Sequence, residues 1–90
     1  MDVQVKQENG VYVAEFTATQ DFNIHVEKVS AAPTYICQRS TDSGKYASLD
    51  YYGNYLQNQV IDTDFSAIVY PKHIRIVSEA EMTVKVTYNS

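Results

Sequence analysis

A two-residue alternation of apolar and polar side chains is the feature that most restricts what this chain can become. It is clearest near the end, where Met82, Val84, Val86 and Tyr88 alternate with Thr83, Lys85 and Thr87. Successive side chains of a β-strand point to opposite faces, so this spacing gives a half-buried strand with one apolar face. The run from Tyr70 to Val77 reads the same way, and Ser78–Glu79–Ala80–Glu81 separates the two. The spacing predicts a closing β-hairpin with Ile74 and Ile76 packed beside Val84 and Val86. Its outer face, His73, Arg75, Thr83, Lys85 and Thr87, would carry most of the local positive charge. Such a face is either simply solvated or a docking surface for an acidic neighbour.

The same period recurs upstream. Val3 and Val5 mark a short first strand, expected at a sheet edge. Glu8–Asn9–Gly10 follows, and Asn–Gly is a strong hairpin signal because both residues tolerate positive φ. The next strand runs Val11–Thr19, with the face bearing Tyr12, Ala14, Phe16 and Ala18 taken as inward. Phe22, Ile24 and Val26 then alternate with Asn23, His25 and Glu27. Thr34–Arg39 is a further strand of ambiguous phase, because Tyr35, Ile36 and Cys37 put apolar groups on both faces. Tyr46–Leu49 reads as a short strand, 50–59 as a long loop, and Val60–Ile61 as a strand that Asp62–Thr63–Asp64 interrupts. Phe65–Tyr70 is another, ended by Pro71. About eight short strands with regular turn signals predict an all-β, antiparallel β-sandwich or jelly-roll-like domain. A parallel sheet needs long crossovers that have no room here. The expected core includes Phe16, Ile24, Val26, Ile74, Ile76, Val84 and Val86.

Composition sets the outer limits. The chain has 90 residues, which makes one domain over 1–90 with one core. Its formal net charge is −4, and the basic residues are scattered, so neither a nucleic-acid backbone nor an anionic membrane is an expected partner. No apolar run is long enough to span a bilayer, and the opening residues do not resemble a signal peptide. Cys37 is the only cysteine, so no internal disulfide forms and a zinc cluster is not expected.

No motif dictates a reaction. A nucleophilic triad needs a serine beside a histidine oriented by a carboxylate, but the Gly-x-Ser-x-Gly elbow is missing. His25, on the outward face of its strand, reads as an exposed strand histidine. Asp62 and Asp64, with Asp42 or Asp50, could supply oxygens to calcium, yet aspartates at strand ends are ordinary turn formers. Ser43–Gly44–Lys45 lacks the rest of a phosphate loop. Cys37 reads as a small packing residue, with Arg39 as a weak activating neighbour. No cofactor or metal is expected, and the chain is not read as an enzyme.

The aromatic balance is distinctive, with eight Tyr, three Phe and no Trp. Tyr46, Tyr51, Tyr52 and Tyr55 gather in or beside the long loop. Tyrosine offers a large rigid surface with a hydroxyl handle, so this cluster is the candidate binding site, for protein or for glycan. Its plainer role would be to cover one end of the sandwich. Three segments taken together, Phe22–Lys28, Arg39–Tyr46 and Val69–Ser78, resemble small β-sandwich domains in structural proteins of tailed bacteriophages and of prophage regions in gut bacteria. That resemblance implies a virion accessory module that assembles by protein contacts and has no catalytic residues. The expected function is therefore a non-enzymatic structural or protein-interaction module, homo-oligomeric, using the edge of the Val3–Lys6 strand and the tyrosine loop. A carbohydrate-binding domain built on Tyr51, Tyr52 and Tyr55 is the alternative.

Overall fold

A computed structural model describes residues 1–40, 45, 47–48, 58–66 and 70–88. Among them are the strands β1 (Asp2–Val3), β2 (Val5–Glu8), β3 (Val11–Ala18), β4 (Phe22–Lys28), β5 (Thr34–Ser40), β6 (Ala47–Ser48), β7 (Val60–Phe65), β8 (Lys72–Ser78) and β9 (Met82–Tyr88). They form a four-stranded sheet in the order β1-β9-β4-β7 and a five-stranded sheet in the order β2-β3-β8-β5-β6. Every pairing is antiparallel. With β2 set aside as an added edge strand, the chain visits the two sheets in the order of a jelly roll. The all-β sandwich expected from the alternation is the observed fold.

The closing hairpin does not form. β8 belongs to the five-stranded sheet and β9 to the four-stranded one. The turn at residues 79–81 carries the chain across the sandwich instead. Ser78 Oγ accepts a hydrogen bond of 3.1 Å from Ala80 N, and Val29 N donates to Glu81 O at 3.0 Å. Alternation reports which face of a strand is buried, and both arms do bury their apolar faces. It does not report which strand lies alongside. β9 takes β4 as neighbour, pairing Ile24 with Val86 and Val26 with Val84. β8 lies between β3 and β5, pairing Ile76 with Ala14 and with Ile36.

The core lies between the sheets. Ile24, Val26, Ile74, Ile76, Val84 and Val86 are all buried, joined by Phe22, Ile36, Ile61, Phe65 and Met82. Phe16 sits at its margin, partly exposed. It meets Phe22 edge-on with ring centroids 5.4 Å apart, and Phe22 stacks on Phe65 at 5.3 Å. The ambiguity in β5 resolves with Thr34 and Ile36 inward, both fully buried, and Tyr35 outward.

Three further boundaries differ from expectation. The first strand is two pieces: β1 pairs with β9, and β2 pairs with β3 in the other sheet. The Asn9–Gly10 turn between β2 and β3 is as expected, with both residues at positive φ (49° and 83°). Asp62–Thr63–Asp64 does not interrupt β7. Ile61 and Phe65 point inward and the aspartates outward, so the strand continues through them, and Phe65 ends it. The short strand near Tyr46 is Ala47–Ser48. Tyr46, Leu49 and 67–69 lie outside the described residues.

Candidate functional site

The solvent face of the four-stranded sheet is the best-defined surface. Its registers align the outward residues of neighbouring strands into rows. One row runs Asp2–Lys85–His25–Asp62 across β1, β9, β4 and β7. On one side of it lies Thr87–Asn23–Asp64, and on the other Thr83–Glu27–Val60. A shallow depression of about 330 Å³ is lined by Asp2, His25, Glu27, Thr83, Val84 and Lys85.

The rows are tied together at β4 and β7. Asn23 Nδ2 donates to Asp62 Oδ1 at 2.8 Å and to Asp64 Oδ1 at 3.0 Å. Both amide protons are thereby used, one across the strand pair and one along the diagonal. His25 Nδ1 lies 2.8 Å from Asp62 Oδ2, and its Nε2 lies 3.4 Å from Glu27 Oε2. The bond to Asp62 raises the His25 pKa above its ordinary 6.5, with partial burial opposing and Glu27 adding to the rise. Asp62 is held below its ordinary 3.8, first by the Asn23 amide and then by His25. Charge-assisted bonds of this length favour the ionised form of both partners.

Chemically, the cluster sets an imidazole between two carboxylates, an arrangement that favours its protonated form. It is not a nucleophilic triad, because the ring nitrogen opposite Asp62 faces Glu27 and not a hydroxyl. His25 is outward, as expected, but it is an ion-pairing centre and not an isolated strand residue. Asp62 and Asp64 meet on an amide, and no group of three potential metal ligands occurs among the described residues.

Other expected features fall elsewhere. Tyr46, Tyr51, Tyr52 and Tyr55 lie outside the described residues, as do Asp42, Ser43, Gly44 and Asp50. The expected basic face does not exist. His73 and Arg75 belong to one sheet, and Thr83, Lys85 and Thr87 to the other. Arg75 is also engaged by acids, with Glu8 at 3.3 Å and Glu15 at 3.6 Å. His73 Nδ1 is 2.9 Å from Thr17 Oγ1. Cys37 is half-buried, and burial pushes its thiol pKa up. The nearby cation is Arg75, its register partner, and not Arg39.

One residue with functional chemistry was missed. Lys28 is only 4% exposed. Its Nζ donates to Ala32 O at 2.7 Å and Thr34 Oγ1 at 2.8 Å, and burial lowers its pKa. Thr34 is also 3.4 Å from Ser78 Oγ, so the ammonium links the two sheets at one end of the core. The signal was present, since Lys28 continues the inward phase of Phe22, Ile24 and Val26.

No protein-family model, no curated protein and no solved structure matches this chain. Among the described residues, no helix is long and apolar enough to cross a membrane. Fold and site together define the molecule as a small antiparallel β-sandwich of jelly-roll order with a flat, polar, internally bonded sheet face.

Proposed function

We propose that this protein is a non-enzymatic structural module that works through protein–protein contact, of the kind that serves as a virion accessory domain in tailed phages. The contact surface is the outer face of the β1-β9-β4-β7 sheet. One observation carries this reading. Val29 and Val60, two of the few exposed large apolar residues among those described, are 69% and 51% accessible. Both sit at the same end of the β4–β7 pair, where Lys28 N donates to Gln59 O at 2.9 Å and Glu27 is the register partner of Val60. These exposed aliphatics form an apolar patch at one end of the face, bordered by the polar Glu27, Thr83 and Asp62, a pairing of apolar and polar surface suited to contact.

Size limits the strength of such a contact. Four strands of this length project to on the order of 350 Å². A standard interface buries roughly 800 Å² per partner. The face alone therefore gives a weak contact, suited to an assembly in which many copies repeat it. Light scattering over a wide concentration range tests the homo-oligomer. The mass should rise with concentration, and Val29→Asp with Val60→Asp should abolish the rise. A wild-type mass that stays monomeric throughout would overturn self-assembly. A glycan-array signal lost in Tyr52→Ala would move the assignment to a carbohydrate-binding domain.

A further inference from the structure

We propose that His25, Asp62 and Glu27 form a pH-sensitive clasp that fixes the edge strand β7 to β4. Among the described residues β7 pairs with β4 alone, over the six register pairs from Phe22–Phe65 to Glu27–Val60. His25 stands within this ladder. It reaches across to Asp62 at 2.8 Å and along its own strand to Glu27 at 3.4 Å. Its two ring nitrogens thus face carboxylates from both strands of the pair.

A protonated imidazole donates from both nitrogens and so satisfies both carboxylates. A neutral one keeps a single proton and turns a lone pair toward the other acid. If Nδ1 keeps the proton, Glu27 is left facing a lone pair. If Nε2 keeps it, the bond to β7 is lost. All neighbouring charges enter this balance. From β7, Asp62 and Asp64 favour the cation. From β4, Glu27 favours it and Asn23 is neutral. From β9, Lys85, the register partner of His25, opposes it, and Asp2 on β1 lies opposite Lys85 in turn.

The pH window follows from the two shifts. A raised histidine pKa contributes stability that is complete below 6.5 and lost as pH rises through the folded value. A lowered carboxyl pKa contributes stability present above 3.8 and lost as pH falls through the folded value. The clasp is thus complete between the ordinary carboxylate and histidine values and loosens on the alkaline side. What it guards is the β4 edge beside Phe22. Release of β7 would bare unpaired N–H and C=O groups there, a template for another strand.

Two measurements on the whole chain decide this. Imidazole NMR titration should place the His25 midpoint above 6.5, and Asp62→Asn should lower it. Hydrogen exchange of the β7 amides, corrected for intrinsic rate, should speed up severalfold from about pH 5.5 to about pH 8. The change is bounded by ten raised to the His25 pKa shift. His25→Gln should remove that pH dependence while β8 and β5 exchange as before. A His25 midpoint at or below 6.5 would overturn the clasp. So would a midpoint indifferent to Asp62→Asn, pH-dependent β7 exchange that survives in His25→Gln, or a change shared equally by all strands.

Discussion

Lys28 shows how much a single side chain can decide in a chain of this size. A buried ammonium costs free energy unless its donors are used, and two of them bind Ala32 O and Thr34 Oγ1. Lys28→Ala removes the packed stem and leaves both acceptors without this donor, so it should cost about 2–4 kcal/mol in urea unfolding. Lys28→Met keeps the volume and should be milder by about 1 kcal/mol or more. If Met were as harmful as Ala, the loss would lie in the polar contacts and not in the stem. Because its folded pKa is lowered from 10.5, the unfolded chain binds the proton more readily. This residue therefore adds stability as pH rises toward its ordinary value, the opposite sign to His25. Gly10 is the simpler case. A Cβ there would meet nothing within 4 Å, so Gly10→Ala should cost only the backbone strain of φ +83°, about 1–2 kcal/mol.

At the scale of elements, burial and adjacency come apart. The inward residues of β8 and β9 were legible because a period of two has only two phases, and burial selects one of them. Their partners were not legible, because Ile74 and Ile76 pack equally well with any apolar strand. Engineered cysteines distinguish the arrangements in a Cys37→Ser background. Glu27→Cys with Thr83→Cys should oxidise to a disulfide, since these register partners lie at the roughly 4.5–5.5 Å Cα spacing that a disulfide spans. Val77→Cys with Thr83→Cys should not, because the two face solvent on opposite sides of the sandwich. A closing hairpin would reverse both outcomes, read by mobility with and without reductant. Within the core, Ile76→Ala should cost about 2–5 kcal/mol, as it is fully buried between Ala14 and Ile36. An unchanged thermal midpoint would contradict this packing.

At the scale of the whole molecule, the two ends of the chain share one sheet. Asp2 and Val3 pair with Lys85 and Val84, so β1 closes the edge of β9. Deleting residues 1–3 should lower the denaturation midpoint and raise concentration-dependent association, because it exposes an aliphatic strand edge. Equal stability and solubility after deletion would show that β1 is dispensable. Non-local pairing of this kind also places folding in the slow range of roughly milliseconds to seconds, testable by stopped-flow.

The sequence by itself determined the all-β class, the inward phase of β4, β8 and β9 and the Asn9–Gly10 turn, because each follows from side-chain period or local φ preference; the phase of β5 and the run of β7 through Asp62–Thr63–Asp64 did not follow from it. It placed His25 outward and Ile24, Val26, Val84 and Val86 inward for the same reason. Beyond the Asn9–Gly10 hairpin, only the tertiary structure decided which strands are neighbours. That choice separated β8 from β9, split β1 from β2 and dissolved the expected basic face. It also brought His25 to Asp62, 37 residues away in the chain. Pairing between strands distant in the chain depends on the closure of many strands at once, and no short stretch of residues encodes it.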